Sequence, residues 1–299
     1  MRLPEIPLPP VGLPVLIAGP TASGKSALAM AIAQAQGRVI INADALQVHD
    51  AWRMLTARPS PADEAQVPHL LYGCVARAAA WSVGHWLRAL APLLARYKDP
   101  VIVGGTGLYF SALTEGLAEI PPIPPQTRSR AEALRREGGT EALLAGLDAP
   151  TRARIDGQNP ARVQRAWEVL EATGRGLAAW QAKTPPPLLP LTRASALVLD
   201  PDRDWLAARI EARFDAMLRE GALDEARSAL PHWPENAGQP GAPLWTKAIG
   251  AGELVSHLLG EISLEDARLA TITATRQYAK RQRNWFRNRL GHWPRQAIS

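Results

Sequence analysis

The sequence GPTASGKS at residues 19–26 constrains the fold of this chain more than any other feature, because it matches G-x-x-x-x-G-K-S/T. It follows the apolar run Val15–Ala18 and precedes a segment, Ala27–Ala33, that is typical of a helix. A strand, a glycine-rich loop and a helix in this order surround an anion with backbone N–H groups and a helix N-terminus. A chance glycine turn is the alternative, and it does not account for both flanks. We therefore predict a polyphosphate site.

The loop residues offer different groups to a polyphosphate. Lys25 supplies a mobile cation, and the Ser26 hydroxyl can complete the coordination of Mg²⁺, the expected cofactor. The residues predicted to bind the phosphates are Gly19, Thr21, Ala22, Ser23, Gly24, Lys25 and Ser26. The motif alone leaves open whether the ligand is a nucleoside triphosphate.

Apolar runs alternate with helical patterns in the first third of the chain, which predicts buried parallel strands joined by helices. The predicted strands are Val15–Ala18, Val39–Ile41 and Val101–Val103, with helices near Ala27–Gln36 and Val83–Tyr97. This pattern predicts an α/β fold, a P-loop NTPase-like doubly wound parallel sheet.

Two proline clusters, at 121–125 and 185–190, bracket a stretch of helical patterns and predict an inserted all-helical subdomain. The predicted insert covers residues 121–189, and the core comprises residues 11–120 and 190–299. Helices are predicted in the insert at Thr127–Glu137, Thr140–Leu147, Pro150–Ile155 and Ala161–Thr173. In the second part of the core we predict a strand at Ala196–Leu199, a capping turn at Asp200–Pro201, and helices at Asp204–Glu220 and Leu264–Arg289.

The composition is ordinary for a globular protein: 46% of the 299 residues are hydrophobic and 21% are charged. No apolar stretch approaches the roughly 18 residues of a membrane span, and the N-terminus lacks a signal-peptide core. The single cysteine, Cys74, has apolar neighbours and is predicted to be a small core residue rather than a nucleophile. We expect a cytoplasmic monomer with no membrane partner.

The positive charge is concentrated at one end of the chain. The net charge is +6, yet the residues from Ala267 onward contain eight basic and no acidic side chains, while the rest of the chain has a net charge of −2. In the predicted last helix, Arg276, Lys280, Arg283 and Arg287 recur on one face. A stripe of this kind is typical of a surface that follows a nucleic-acid backbone, although a solvated helix face is the alternative.

Two strand ends carry candidate catalytic residues. Asp44 follows the second strand, where a carboxylate can coordinate a metal or accept a proton, or merely cap a helix. The strand Val101–Val103 ends in Gly104 and Gly105 followed by Thr106, where a typical P-loop NTPase has an acidic residue. The two glycines and the threonine favour a site that binds a diphosphate over one that hydrolyses a triphosphate.

In the insert, Arg162 and Arg165 lie three residues apart and share a helix face. Phosphate contacts and ion pairs with Glu168 or Glu171 are equally consistent with this spacing.

Taken together, these stretches resemble the tRNA dimethylallyltransferases (isopentenyl-tRNA transferases), from Val15 to about Trp293. The resemblance is carried, in order, by GPTASGKS, DALQ, VGGTGLYFSAL, RVQRAWEVLEATG, LDPDRDWLAARIEARFDAML, KAIGAGEL and TRQYAKRQRNWFR. It implies transfer of a dimethylallyl group from dimethylallyl diphosphate to N6 of adenosine 37, in tRNAs that read codons beginning with U.

The resemblance also implies roles for single residues. Asp44 matches the family's proposed base, Thr106 a residue that contacts the reacting groups, and Arg128 one that contacts substrate. The insert and the basic helix would bind the anticodon stem-loop, and the target base would be flipped out of its stack. The residues predicted to bind tRNA are Asp44, Ala45, Leu46, Gln47, Thr106, Arg128, Arg162, Arg165, Lys247, Gly250, Arg276, Lys280 and Arg283.

The sequence also departs from the family pattern. The family's Ser and Tyr after the aspartate are Ala45 and His49 here, and a usual Asp of the insert is Asn159. The family's I-G-Y-K-E is I-G-A-G-E at residues 249–253. These changes predict altered RNA affinity or choice of RNA, with the chemistry retained.

Three other functions remain as alternatives: a P-loop kinase or ATPase, an adenylate prenyltransferase acting on free nucleotides, and a non-catalytic RNA-binding protein. The glycines after Val103 oppose the first, the insert and basic helix oppose the second, and the intact phosphate loop with Asp44 opposes the third.

Overall fold

In the computed structural model, which describes residues 8–239 and 241–299, one parallel sheet positions every predicted catalytic residue. Its strands are β1 (Val15–Ala18), β2 (Ile40–Asn42), β3 (His69–Leu70), β4 (Val101–Gly104), β5 (Ser195–Pro201) and β6 (Arg295–Ile298). Their order is β3-β2-β4-β1-β5-β6, and all neighbours are parallel. The carboxyl ends of β1, β2 and β4 therefore meet at one edge of the sheet.

The helices of the first part of the chain are α1 (Lys25–Gln36), α2 (Pro61–Gln66), α3 (Val83–Arg96) and α4 (Gly107–Glu115). They are followed by α5 (Pro125–Ala145), α6 (Ala149–Arg152), α7 (Pro160–Thr173) and α8 (Leu177–Gln181). After β5 come α9 (Arg203–Glu220), α10 (Ala222–Ala229), α11 (Ala251–Leu258) and α12 (Leu264–Arg289). Short 3₁₀ turns occur at Leu191–Arg193, Leu230–His232 and Leu244–Lys247.

Both faces of the sheet are covered, because successive strand side chains point to opposite faces. One face packs against α3, α4 and α12, in a core that includes Leu16, Ile41, Ile102, Trp86, Phe110 and Phe286. The other face packs against α1, in a core that includes Ile17, Ile40, Val103, Leu28 and Ile32. This arrangement confirms the predicted doubly wound α/β fold.

The chain divides into two compact units. One comprises the described residues up to Thr114 together with Leu188–Ser299, and the other is Glu115–Pro187, which the predicted insert at 121–189 overlaps. The second unit is helical and has its own apolar core, formed by Ala131, Leu143, Leu147, Val163, Ala166 and Trp167. The two helices predicted at 127–147 both lie within α5 and are separated, as predicted, by a break at Gly139, whose φ of +67° is not helical.

Some sequence predictions agree with the structure and others do not. The bounds predicted for α12 are those observed. The cap of α9 is Asp202, whose carboxylate accepts from two backbone N–H groups, whereas Asp200 and Pro201 belong to β5. The prediction of a buried Cys74 is wrong: Cys74 is exposed, because β3 ends at Leu70 and Leu71 turns the chain with φ of +62°.

Strands β3 and β6 were absent from the sequence prediction because neither has a long apolar run. Within the part of the chain that the structure describes, no helix combines the length and the hydropathy needed to cross a membrane.

Candidate active site

The phosphate loop joins β1 to α1 through two residues with left-handed backbone. Gly24 has φ of +88°, and Ala22 has φ of +61° although it carries a Cβ, a conformation that costs free energy in a non-glycine residue. Lys25 and Ser26 form the first turn of α1, where N–H groups have no helical acceptor. The first turn of α1 therefore presents N–H donors, whereas the N–H groups of Thr21 and Ser23 are already bonded, to Oε1 of Gln282 and to the backbone oxygen of Pro20.

Lys25 is the cation of this loop. Its Nζ donates to the backbone oxygen of Pro20 at 3.3 Å. Burial lowers the pKa of Lys25 to about 8, an effect that Asp44 opposes and Arg213 reinforces. The ammonium is thus destabilised in the ligand-free protein, and a bound anion would offset that cost.

Asp44 lies directly after β2 with one carboxylate oxygen already bonded. Its Oδ1 accepts the N–H of Leu46 at 3.0 Å, and its own N–H donates to Oδ1 of Asn42 at 2.8 Å. Asn42 is fully buried, and Trp86 Nε1 donates to its carbonyl at 2.7 Å. The other oxygen of Asp44, Oδ2, faces the loop after β4, since a Cβ on Gly105 would lie 3.1 Å from it.

The loop after β4 approaches the Asp44 segment so closely that glycine is required. A Cβ on Gly104 would lie 2.0 Å from the backbone oxygen of Ala43, which cannot move aside as a side chain could. The Thr106 hydroxyl accepts the N–H of Ala45 at 2.9 Å. This hydrogen bond joins the loop that carries Asp44 to the loop that carries Thr106. The hydroxyl of Thr106 can still donate its own proton to another acceptor.

Gln282 of α12 joins these loops to the phosphate loop, a role that the sequence analysis missed. Its Oε1 accepts the N–H of Thr21 at 2.9 Å, and its Nε2 donates to the backbone oxygen of Gly105 at 2.9 Å. Only 6% of Gln282 is exposed. No helical pattern distinguishes this glutamine from its neighbours, and its one sequence signal is that it lies within TRQYAKRQRNWFR, a stretch that carries the family resemblance.

Two arginines of α9 also reach the phosphate loop and were missed. Arg209 Nε donates to the backbone oxygen of Ala22 at 3.0 Å, and Arg213 Nη1 lies 3.4 Å from the Thr21 hydroxyl. Burial lowers the pKa of Arg213, and the charge of Asp44 opposes that change. The four-residue spacing on the apolar side of α9, beside Leu206 and Ile210, is the signal that could have revealed them.

The predicted RNA contacts near Asp44 are partly engaged within the protein. The Gln47 amide donates to the backbone oxygens of Thr56 and Ala57 at 2.8 and 2.9 Å. Gly250 is buried, has φ of +93° and precedes α11, whereas Lys247 is exposed. His49 is also buried.

The basic stripe on α12 is partly neutralised by acidic residues from other elements. Arg276 pairs with Glu211 at 3.2 Å and Arg283 with Asp200 at 3.6 Å, while Lys280 and Arg287 are exposed. The absence of acids in the C-terminal sequence thus overstated the charge of this surface.

In the second unit, Arg128, Arg162 and Arg165 are exposed. Arg162 lies 3.8 Å from Asp156, and Arg165 lies 3.8 Å from Glu168, which is the ion pair that the sequence left open. Asn159 caps α7 by accepting the N–H of Arg162 at 3.2 Å. Arg162 remains a candidate for a phosphate contact, because its ion pair is exposed and such pairs contribute little free energy, whereas Arg165 pairs with the buried Glu168.

Ser26 and Asp44 offer oxygen donors of the kind that Mg²⁺ takes. Among the described residues, no group of three His, Cys, Asp or Glu side chains could hold a metal. Ser26 is exposed at the start of α1, and Asp44 is the carboxylate that interacts with Lys25. One hydroxyl and one carboxylate suit Mg²⁺, which commonly keeps water ligands and shares phosphate oxygens with a substrate.

Two family models and many known proteins match this chain. Residues 47–289 match the family model described as IPP transferase, and residues 14–68 match the model described as isopentenyl transferase. The tRNA dimethylallyltransferase of Dinoroseobacter shibae is 62% identical over 296 residues, which are 98% of this chain and 97% of that relative.

Solved structures show the same fold. The tRNA isopentenylpyrophosphate transferase of Bacillus halodurans aligns with a TM-score of 0.65 and 29% identity, over 96% of this chain and 90% of that one. A eukaryotic dimethylallyltransferase solved acting on tRNA aligns with a TM-score of 0.80 and 23% identity, over 95% of this chain and 73% of that one.

Proposed function

The chain belongs to the IPP transferase family, and we propose that it transfers a dimethylallyl group from dimethylallyl diphosphate to N6 of adenosine 37 in tRNA. The products are N6-(dimethylallyl)adenosine and diphosphate. The observation that carries this proposal is the position of Asp44 Oδ2, which faces the loop that Gln282 hydrogen-bonds to the phosphate loop. A base and an anion site are thereby held side by side.

The diphosphate is the leaving group, so the phosphate loop must bind it before and after the bond breaks. Lys25, the N-terminus of α1 and Arg213 supply positive potential at this loop. When bound, Mg²⁺ held by Ser26 and the phosphate oxygens would neutralise charge on the leaving group. This arrangement lowers the barrier because negative charge grows on the diphosphate as it departs.

Asp44 acts as the base for the adenine amine. The N6 lone pair is delocalised into the ring, so the amine is a weak nucleophile until its proton is removed. In the transfer, N6 bonds to C1 of the allyl group, the bond from C1 to the diphosphate oxygen breaks, and the N6 proton passes to Asp44. The hydrogen bond from Leu46 holds Oδ1 and leaves Oδ2 for the proton.

Thr106 completes the site from the other loop. Its oxygen already accepts from Ala45, so its hydroxyl proton can be donated to an oxygen of the diphosphate. The short separation of the two loops at Gly104 brings this donor and the base to the same small volume.

The RNA substrate explains the exposed cations. We expect the anticodon stem-loop, from tRNAs that read codons beginning with U, to contact Arg128, Arg162 and Arg165 and, on α12, Lys280. Recognition would rest largely on phosphates and on shape, with adenosine 37 flipped into the site. The reaction is expected in the cytoplasm, with the chain as a monomer.

One assay separates this function from its alternatives. Purified protein with dimethylallyl diphosphate and Mg²⁺ should prenylate an anticodon stem-loop but not AMP. Transfer to AMP without transfer to RNA would make the protein an adenylate prenyltransferase. ATP turnover without any prenyl transfer would make it a kinase or ATPase. Gly104, which ends β4, and Gly105 after it argue against that function.

A further inference from the structure

The buried amide of Gln282 connects the two halves of the candidate active site. One half is the phosphate loop, reached through the N–H of Thr21, and the other is the loop after β4, reached through the oxygen of Gly105. Both hydrogen bonds measure 2.9 Å, and the side chain is almost fully buried. The amide therefore joins the two halves directly, in addition to the pairing of β1 with β4 from which both loops leave.

Only one orientation of this amide satisfies both loops. Thr21 offers a donor and Gly105 offers an acceptor, so a rotated amide would set donor against donor and acceptor against acceptor. The contact also leaves no room for a side chain at residue 105, because a Cβ on Gly105 would lie 2.4 Å from Nε2 of Gln282. The same hypothetical Cβ would lie 3.1 Å from Asp44 Oδ2, so amide and carboxylate flank the same point.

Helix α12 holds the other side of Thr106 as well. The indole of Trp285, one turn after Gln282, packs on Gly107, where a Cβ would lie 2.1 Å from the ring. The residues before and after Thr106 are thus both fixed by α12. If Gln282 served only to pack α12 against the sheet, neither of its two hydrogen bonds would be needed.

We propose that Gln282 is a positioning residue, whose amide holds the phosphate loop and the Gly105–Thr106 loop in register so that the allyl carbon meets the amine beside Asp44. This role rests on the proposed prenyl transfer. Gln282 touches neither substrate in this account, and it acts through the separation of the two loops. A displacement of about 1 Å between reacting groups can lower a rate about 100-fold.

The first variant is Gln282→Met, which keeps the side-chain volume and removes both hydrogen bonds. We expect kcat for a stem-loop substrate to fall about 10- to 100-fold, with RNA affinity within about twofold of the wild type. Gln277→Met, on the exposed side of the same helix, is the matched control and should retain wild-type kcat. Melting temperatures and active-site titration identify the folded fraction of each variant.

The second variant, Gln282→Glu, gives a readout that a packing role would not move. A protonated Glu can donate to Gly105 and accept from Thr21 as the amide does, whereas an ionised Glu has no proton to donate. The ratio of variant to wild-type kcat should therefore rise as pH falls. Wild-type kcat in Gln282→Met, or a ratio for Gln282→Glu that does not change with pH, would overturn the proposal.

Hydrogen exchange and pyrophosphate binding test the role of Gln282 separately from the proposed function. The backbone amide of Thr21 should exchange with deuterium faster in Gln282→Met than in the wild type. Unchanged exchange would refute the proposed positioning role of Gln282. If the wild type transfers no prenyl group to any acceptor, the proposed function fails. The positioning role of Gln282 is then tested by pyrophosphate affinity and Thr21 exchange alone, and we expect weaker binding and faster exchange for Gln282→Met.

Discussion

The backbone N–H of Ala45 donates to the hydroxyl of Thr106 at 2.9 Å, and this bond joins the segment after β2 to the segment after β4. The two residues are 61 positions apart in sequence. Because β2 and β4 are neighbouring parallel strands, their carboxyl ends bring the segment that carries Asp44 and the segment that carries Thr106 to the same end of the sheet.

Replacement of Asp44 tests the base. Asp44→Asn keeps an oxygen for the N–H of Leu46 but cannot take a proton, so we expect turnover to fall about 10²- to 10⁴-fold. Binding of the stem-loop, measured by filter retention, should stay nearly unchanged. Asp50→Asn, an exposed neighbour, is the control. Lost RNA binding with an unchanged chemical step would contradict the assignment.

The pKa of Lys25 predicts a pH dependence for anion binding. In the free protein this pKa is lowered to about 8, and a bound anion favours the charged form and raises it. Pyrophosphate binding should therefore take up protons above about pH 8 and weaken as pH rises through that value. Calorimetry in buffers of different ionisation enthalpy measures the uptake. Lys25→Arg stays charged, so its titration reports pyrophosphate alone, and equal uptake in both proteins would disprove the prediction.

Arg213 should contribute to diphosphate affinity. Arg213→Met removes a buried cation beside Thr21, and we expect the pyrophosphate Kd to rise about 10-fold or more. Arg219→Met, an exposed substitution in the last turn of the same helix, should leave the Kd as it is. Equal Kd values for the two variants in isothermal titration would exclude a role for Arg213.

Gly104 should be intolerant of a side chain for steric reasons alone. Gly104→Ala directs a methyl group at the backbone oxygen of Ala43, and we expect a loss of about 1–3 kcal/mol in the free energy of unfolding. Gly252→Ala, in α11 with open space around its Cβ position, should be neutral or stabilise by up to about 1 kcal/mol. Urea unfolding compares them, and similar stability of both variants would refute the steric argument.

Replacement of Lys280 tests the RNA-binding surface that we propose on α12. Lys280→Gln should weaken stem-loop binding and reduce the dependence of log K on log salt concentration by about one unit. Lys98→Gln, an exposed change outside α12, serves as control. An unchanged salt dependence for Lys280→Gln would remove this residue from the interface.

Local patterns predicted much of the fold, and they failed where a contact depended on distant residues. The phosphate loop and the bounds of α12 follow from glycine spacing and from helical periodicity, which are local properties. Gln282 and Thr21 are 261 positions apart, and nothing in either neighbourhood indicates the other. The charge of α12 was overstated for the same reason, since Glu211 and Asp200 come from α9 and β5.

Short elements were the second source of error. β3 has two residues, and β6, an edge strand, has two exposed, one partly buried and one buried position, so neither produces a recognisable apolar run. Cys74 was assigned to a core strand because its neighbours are apolar, yet the left-handed turn at Leu71 removes it from the sheet.

The bond between Thr21 and Gln282 also has a consequence for the order in which the protein is made. The ribosome releases the phosphate loop long before α12 has been translated, so the Thr21 N–H of the nascent chain does not yet have Gln282 as its acceptor. The hydrogen bonds that link the two loops through Gln282 form only when α12 docks on the sheet. A growing chain therefore contains the whole phosphate-binding motif well before it contains a site able to react.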